Sequence, residues 1–126
     1  MSGREVVERL IATLNAKDVD GMDAVFHEDA VMDWPQSGER VVGGDNRRSV
    51  YRAFPGLPTI TTRRIVGSGD LWVAEATLDY GAGSVYKSVF IFELRDGKIA
   101  RETAYWAEPF EAPEWRAAWV EIESDR

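Results

Sequence analysis

The chain lacks several of the residue types on which metal binding and nucleophilic catalysis depend. It contains no cysteine, which excludes disulfides, thiolate nucleophiles and cysteine-ligated metals. Its single histidine, His27, forms no recognisable metal-binding cluster, and no glycine-rich loop has the spacing of a phosphate-binding motif. We therefore expect neither a metal ion nor a cofactor.

Long apolar runs are also missing. The longest ones, such as residues 88–92, are far shorter than the roughly 20 residues that cross a bilayer, so no membrane association is expected. Residues 1–6 do not resemble a secretory signal, because they lack an apolar stretch and a cleavage site. These features predict a cytoplasmic protein.

Positive charge is scarce in the sequence. The sequence contains 15 lysines and arginines and 22 acidic residues, which gives a net charge of −7 with the single histidine neutral. The nearest approaches to a basic patch are two isolated pairs, Arg47-Arg48 and Arg63-Arg64, so nucleic-acid binding is disfavoured. With 44% hydrophobic and 29% charged residues the balance is that of a folded globule, and the length suits a single domain over residues 1–126.

The first part of the chain has the periodicity of helices. Ser2 and Glu5 form a predicted capping box at the start of a first helix with apolar residues at helical spacing. A short second helix, carrying Phe26, is expected after Asp18, and a third helix contains Tyr51. A short strand is predicted between the second and third helices, over residues 30–34.

From residue 59 onward the apolar residues alternate, as is typical of strands. The connections are short and rich in turn residues, and Asp96-Gly97 is a hairpin signal, so an antiparallel meander is expected. Helices followed by such a sheet predict an α+β fold. The expected strands cover residues 59–66, 71–80, 84–95 and 98–106.

Four stretches, residues 14–18, 26–35, 92–99 and 105–110, resemble the nuclear transport factor 2-like superfamily and, within it, the SnoaL-like group. The resemblance extends over about residues 4–120. It implies a cone-shaped, curved antiparallel or mixed sheet wrapped around three N-terminal helices, with a single pocket at the open end. It also implies a homodimer formed through the convex face of the sheet.

The catalytic residues of the ketosteroid isomerase branch of this superfamily do not carry over. The position of its base is occupied by Trp34, with Asp33 one residue earlier, and its oxyanion-binding tyrosine and aspartic acid fall on Leu10 and Phe90. The resemblance retains two pocket aromatics, Tyr51 and Trp106.

Strand alternation gives a second route to the pocket. If Trp106 faces inward, Glu102 does so too, and the expected hairpin alignment turns Glu75 to the same side. Neighbouring acids in an apolar cavity have shifted pKa values and can supply a general acid and a general base near neutral pH. We therefore expect Glu75, Glu102 and Asp33 as ionisable catalytic groups, with Tyr51 donating a hydrogen bond to a developing oxyanion. The expected substrate-binding residues are Trp34, Phe26, His27, Val73, Tyr86, Ser88, Phe90 and Trp106.

Each ionisable candidate also has a structural interpretation. Glu75 can pair with an arginine of the adjacent strand, and Glu102 can lie in solvent at the rim of the cone. Asp33 can serve as a turn or cap acceptor, and His27 can be exposed or cap a helix.

These observations favour a SnoaL-like small-molecule enzyme with cofactor-independent general acid–base chemistry. The expected reactions are isomerisation, aldol-type cyclisation, or hydration and dehydration of a hydrophobic cyclic carbonyl compound. The alternative is a non-catalytic small-molecule-binding protein or sensor with the same pocket. A protein-interaction module is disfavoured, because the apolar side chains are accounted for by amphipathic faces.

Overall fold

The computed structural model describes residues 1–123 as helices packed on one curved sheet. The helices are α1 (Gly3–Asn15) and α2 (Gly44–Ala53), with 3₁₀ helices at Asp20–Ala24 and Glu114–Trp119. The strands are β1 (Phe26–Trp34), β2 (Glu39–Val42), β3 (Thr59–Ser68), β4 (Leu71–Asp79), β5 (Val85–Arg95) and β6 (Lys98–Ala107).

The six strands form a mixed sheet in the order β2-β1-β6-β5-β4-β3. β1 and β6 are parallel, and every other neighbouring pair is antiparallel. α1 packs on β3 and β4, whereas α2 packs on β1 and β2. The expected α+β fold with a mixed sheet wrapped around three N-terminal helices is confirmed, with the 3₁₀ helix Asp20–Ala24 as the second of these helices.

α1 forms as the sequence predicts. The Ser2 hydroxyl accepts the Glu5 backbone N–H, and the Glu5 carboxylate accepts the Ser2 N–H, which completes the capping box. At the other end, the Asn15 side chain accepts from the Ile60 N–H at 2.7 Å and donates to the Ile60 carbonyl at 3.0 Å. This pair of bonds fixes the end of α1 against the start of β3. The buried face of α1 consists of Val6, Val7, Leu10 and Leu14.

Two elements differ from the expectation. β1 begins at Phe26, so that residue starts a strand instead of lying on the second helix. β2, over Glu39–Val42, was not expected, because its four residues show no strong alternation and owe their extended form to pairing with β1. The Asp96-Gly97 hairpin turn is confirmed, with both residues at positive φ.

The core lies between the helices and the inner face of the sheet, where Phe92, Leu10, Met22 and Met32 are among the largest fully buried side chains. None of the helices within residues 1–123 is long and apolar enough to span a membrane.

Candidate functional site

The inner face of the sheet and α2 enclose an aromatic cavity of about 190 Å³. Its aromatic walls are Trp34 at the end of β1, Tyr51 on α2, Phe90 on β5 and Trp106 near the end of β6. Trp34 and Trp106 meet edge to face, with ring centroids 5.9 Å apart. The remaining lining is mostly aliphatic: Leu14, Val50, Leu57, Pro58, Ile60, Leu78 and Ala104.

Glu102 is the buried ionisable group of this cavity. It lies on β6 between Met32 of β1 and Phe92 of β5, and the whole residue is 2% exposed. No hydrogen bond or ion pair joins its carboxyl group to any other residue within 1–123. Burial raises the pKa of Glu102 to about 7, and the positive charge of Arg47 opposes this rise. The carboxyl group is therefore poised to accept or release a proton near neutral pH.

Tyr51 provides a hydroxyl group close to Glu102. The hydroxyl donates to Met32 Sδ at 3.9 Å, a weak acceptor that leaves most of its hydrogen-bonding capacity unused. Burial and then the charge of Glu102 raise the pKa of Tyr51 above its ordinary value. At neutral pH Tyr51 is therefore a neutral donor.

An aromatic cluster forms the mouth of the cavity. Phe54 stacks on Tyr80 with ring centroids 6.0 Å apart, and Tyr80 meets Tyr86 edge to face at 5.5 Å. Tyr86 also donates from its hydroxyl to Glu108 at 3.2 Å, beyond the end of β6. Phe54 and Tyr80 line the cavity, whereas Tyr86 supports them from outside it.

A side-chain clamp holds the Trp106 end of β6. The Gln36 side-chain amide donates to the Trp106 carbonyl and accepts the Trp106 N–H, both at 2.7 Å. The parallel ladder between β1 and β6 ends at Asp33 and Thr103, so the glutamine side chain extends that pairing toward the mouth. The sequence analysis missed Gln36, because nothing local to residue 36 indicates a partner 70 positions later.

The expected inward placement of Glu75 and Val73 was wrong. In the register of β4 and β5, Ala74 pairs with Phe90, Ala76 with Ser88 and Leu78 with Tyr86. The alanines and Leu78 therefore face inward, and the residues between them face outward. A strand register that differs by one residue turns every side chain to the opposite face.

Glu75 has the structural surroundings that were considered as its alternative. Its carboxylate accepts from Arg64 Nε at 2.8 Å and from Arg63 Nη1 at 3.5 Å on the outer face of the sheet. It borders an outer groove of about 380 Å³ that also includes Val89 and Tyr105. The larger volume of this groove does not make it the better catalytic site, because its carboxylate is already paired and partly exposed.

Asp33 also lies on the outer face, between Met32 and Trp34, which face inward. It accepts from Arg40 Nε at 2.7 Å and is ion-paired with Arg101. The hydrogen bond from Arg40 is the largest influence on the pKa of Asp33 and, together with Arg101, outweighs the opposing effect of burial, so this pKa lies below its ordinary value. Asp33 is thus a stable carboxylate outside the cavity.

Besides Val73, four other expected substrate-binding residues do not line the cavity. Phe26 is 2% exposed in the core beneath the Arg47 guanidinium, and His27 contacts the Arg95 carbonyl at the far end of β5. Ser88 is buried but donates to the Ala76 carbonyl at 2.8 Å, which ties β5 to β4. The fourth residue is Tyr86, described above. These placements follow from strand pairing, which a sequence does not display.

Within residues 1–123 there is no group of three or more histidine and acidic side chains that could hold a metal ion. Of the expected site residues, Trp34, Tyr51, Phe90, Glu102 and Trp106 line the cavity together.

Comparisons with known proteins place this geometry in a family. A family model described as a SnoaL-like domain matches residues 7–102. The chain is 38% identical to a nuclear transport factor 2-like protein of unknown function from Burkholderia xenovorans, with a TM-score of 0.87 and coverage of 96% of this chain and 94% of that one. A search of curated proteins gave no match.

Two further similar structures are of proteins that are named after an enzymatic activity. A candidate ketosteroid isomerase of Kribbella flavida is 26% identical, with a TM-score of 0.87 and coverage of 97% of this chain and 90% of that one. An LEH-like epoxide hydrolase of M. tuberculosis is 25% identical, with a TM-score of 0.70 and coverage of 82% and 80%. Because the family model spans most of the sequence, the chain belongs to the SnoaL-like domain family of the nuclear transport factor 2-like superfamily.

Proposed function

We propose that this protein is a cofactor-independent acid–base enzyme in which Glu102 transfers a proton on a hydrophobic cyclic carbonyl substrate. The observation that carries the proposal is the Glu102 carboxyl group, which lies without a hydrogen-bond partner in residues 1–123 and lines an aromatic cavity. A buried polar group that serves only the fold is normally hydrogen-bonded. An unpaired one beside a cavity is available to a ligand.

The chemistry follows from the two polar groups of the cavity. The Glu102 carboxylate removes a proton from the carbon next to the carbonyl, and the electron pair moves to the carbonyl oxygen. The Tyr51 hydroxyl stabilises the resulting enolate by donating a hydrogen bond. Glu102 then returns its proton to another carbon, which completes an isomerisation. Attack of the enolate on a second carbonyl, with Glu102 returning its proton to the new alkoxide, would give cyclisation instead. Departure of a β-hydroxyl group as water, with the same proton from Glu102, would give dehydration.

The cavity volume limits the size of the substrate. A cavity of about 150 Å³ holds one benzene molecule. The 190 Å³ enclosed here therefore accommodates one substituted ring, while anything larger must extend through the mouth near Tyr80. A monocyclic ketone fits this space better than a fused four-ring compound.

The experiment is deuterium exchange by NMR with a panel of monocyclic ketones and lactones in D₂O. Wild type should exchange the protons next to the carbonyl, Glu102→Gln should not, and Glu75→Gln should behave as wild type because Glu75 lies on the outer face. Exchange that persists in Glu102→Gln would refute the proposal. Equal binding by both proteins with no exchange in either would establish the alternative, a non-catalytic small-molecule binder.

We also propose that two copies associate through the outer face of the sheet. Two neighbouring cross-strand pairs on this face are apolar: Val89 pairs with Tyr105, and Ile91 pairs with Val73. Val89 and Tyr105 are 36% and 43% exposed in the single chain. Light scattering after size exclusion should give about twice 14.2 kDa for wild type and 14.2 kDa for Val89→Glu, with Val42→Glu on the edge strand as control. A wild-type mass of 14.2 kDa would refute the dimer.

A cytoplasmic location and the absence of nucleic-acid partners remain proposals from the sequence. The second proposal rests on the net charge of −7, which disfavours contact with a phosphate backbone. Fractionation of cells that express the tagged full chain, with a nucleic-acid binding assay at low salt, would check both.

A further inference from the structure

Arg47 is a buried cation that the proton-transfer mechanism above does not use. It lies on α2 and is 2% exposed. Its Nη2 is bonded to Asp23, and its guanidinium carbon lies 4.5 Å from the centre of the Phe26 ring. Within residues 1–123, Nε and Nη1 are buried without a hydrogen-bond partner. Such unsatisfied donors destabilise a fold, so a sequence that only needed a helix anchor would do better with an apolar residue.

The position of Arg47 relates it to the cavity. Arg47 and Tyr51 are four residues apart on α2 and so lie on the same helix face. The Tyr51 hydroxyl reaches Met32, which is paired with Glu102 across β1 and β6. Arg47 itself lies over Phe26, at the inner end of the same row of β1 residues. The guanidinium therefore lies outside the cavity lining, at the Phe26 end of the β1 residues that lead through Met32, the neighbour of Glu102, to Trp34 in the cavity wall.

Few other charged groups lie near Glu102. Its strand neighbours are Met32 and Phe92, which carry no charge, and the cavity itself adds only the hydroxyls of Tyr51 and Tyr80 and the exposed Glu39 at the rim. Arg47 is the positive charge that acts on both Glu102 and Tyr51, in each case lowering the pKa against the effect of burial.

We propose that Arg47 is a positioning residue for Glu102: held by Asp23 and Phe26, its charge stabilises the ionised carboxylate inside an otherwise apolar cavity. Without this charge the carboxyl group would stay protonated at neutral pH and could not act as a base. The inference rests on the proposed function, because Glu102 is the proton-transfer group of that function. Asp23 in turn balances part of the charge of Arg47 and fixes its orientation.

The test follows the Glu102 carboxyl signal by NMR in protein labelled with ¹³C at the glutamate carboxyl carbon. The signal is assigned by its disappearance in Glu102→Gln. Arg47→Met keeps the apolar part of the side chain but removes the charge. In this variant the midpoint of the Glu102 titration should rise by about one pH unit or more. Arg47→Lys, which keeps the charge, should restore a midpoint close to that of wild type. A midpoint unchanged in Arg47→Met would overturn the inference.

Asp23→Asn separates this electrostatic role from simple anchoring of α2. The substitution loosens the anchor but leaves the Arg47 charge less balanced, so the Glu102 midpoint should stay level or fall. A rise would overturn the inference. If Arg47→Met does not fold, Arg47→Gln, which also removes the charge but keeps a polar side chain, takes its place: a raised Glu102 midpoint is expected, and an unchanged midpoint would overturn the inference.

These measurements need no substrate, which separates the two proposals. If the midpoint moves as expected but Glu102→Gln retains full exchange activity, the proposed function fails and the electrostatic coupling stands. If Glu102→Gln is inactive and the midpoint does not depend on Arg47, the proposed function stands and Arg47 serves only the fold.

Discussion

The burial of Glu102 makes the stability of this protein depend on pH in a direction unusual for an acid. The pKa of its carboxyl group is 4.5 in an ordinary exposed setting and about 7 in the folded protein. Between these pH values the folded chain keeps a proton that the unfolded chain has released. Stability must therefore fall as the pH rises from 4.5 to 7, and it levels off above 7.

The magnitude follows from the two pKa values. For each pH unit over which the folded chain holds the extra proton, the free energy of unfolding falls by about 1.4 kcal/mol. The total loss of stability therefore approaches about 3 kcal/mol by pH 8. Glu102→Gln has no proton to hold, so this loss should disappear. The difference in unfolding free energy between variant and wild type should thus grow by about 3 kcal/mol in favour of the variant from pH 4.5 to 8.

Urea denaturation at fixed protein concentration and ionic strength, repeated at half-unit pH steps, measures this difference. The comparison with wild type cancels every group that titrates alike in both proteins. Asp33, whose pKa is lowered, acts in the opposite direction, because its stabilisation is lost as the pH falls toward the acid range. Parallel curves for wild type and Glu102→Gln between pH 4.5 and 8 would show that the Glu102 carboxyl group is not desolvated as described.

Three further outcomes are expected. Tyr51→Phe should lower kcat/KM about 100-fold, because a hydrogen-bond donor to the oxyanion is lost. It should change the free energy of unfolding by less than about 1 kcal/mol, since the hydroxyl donates only to the weak acceptor Met32 Sδ. Unchanged kinetics would remove Tyr51 from the mechanism. Ser88→Ala should cost about 1 kcal/mol of stability through the lost bond to the Ala76 carbonyl while activity is retained, and a large loss of activity would contradict its structural role. In thermal shift assays, monocyclic ketones should raise Tm more than four-ring steroids, and the reverse order would show that the cavity opens well beyond 190 Å³.

Features set by local chemistry could be predicted from the sequence. The Ser2–Glu5 capping box and the Asp96-Gly97 turn each depend on neighbouring residues, and both form as expected. The inward side of β6 could also be predicted, because Trp106 fixed the alternation and Glu102 lies four residues earlier on the same strand. That alternation is why Glu102 was found without a structure.

Features set by strand register could not be predicted. Glu75 was placed on the wrong face, because the register of β4 against β5 follows from the residues that close their connection and from packing with α1. Arg47 was noted only as half of a basic pair. Its burial depends on contacts with Asp23 and Phe26, which are distant from it in the sequence. Its proximity to Glu102 exists only in the folded protein.

The hydrogen bonds of the Gln36 side chain hold the backbone of Trp106, a residue of the cavity wall. The Trp106 N–H is bonded to the Gln36 side chain, while the indole ring of the same residue forms part of the cavity wall. The side-chain torsions of Trp106 can still turn the ring, but a movement of its backbone away from Gln36 must break that bond and expose the amide to solvent. The hydrogen-exchange rate of the Trp106 amide therefore measures how often this end of β6 separates from Gln36, even before any substrate has been identified.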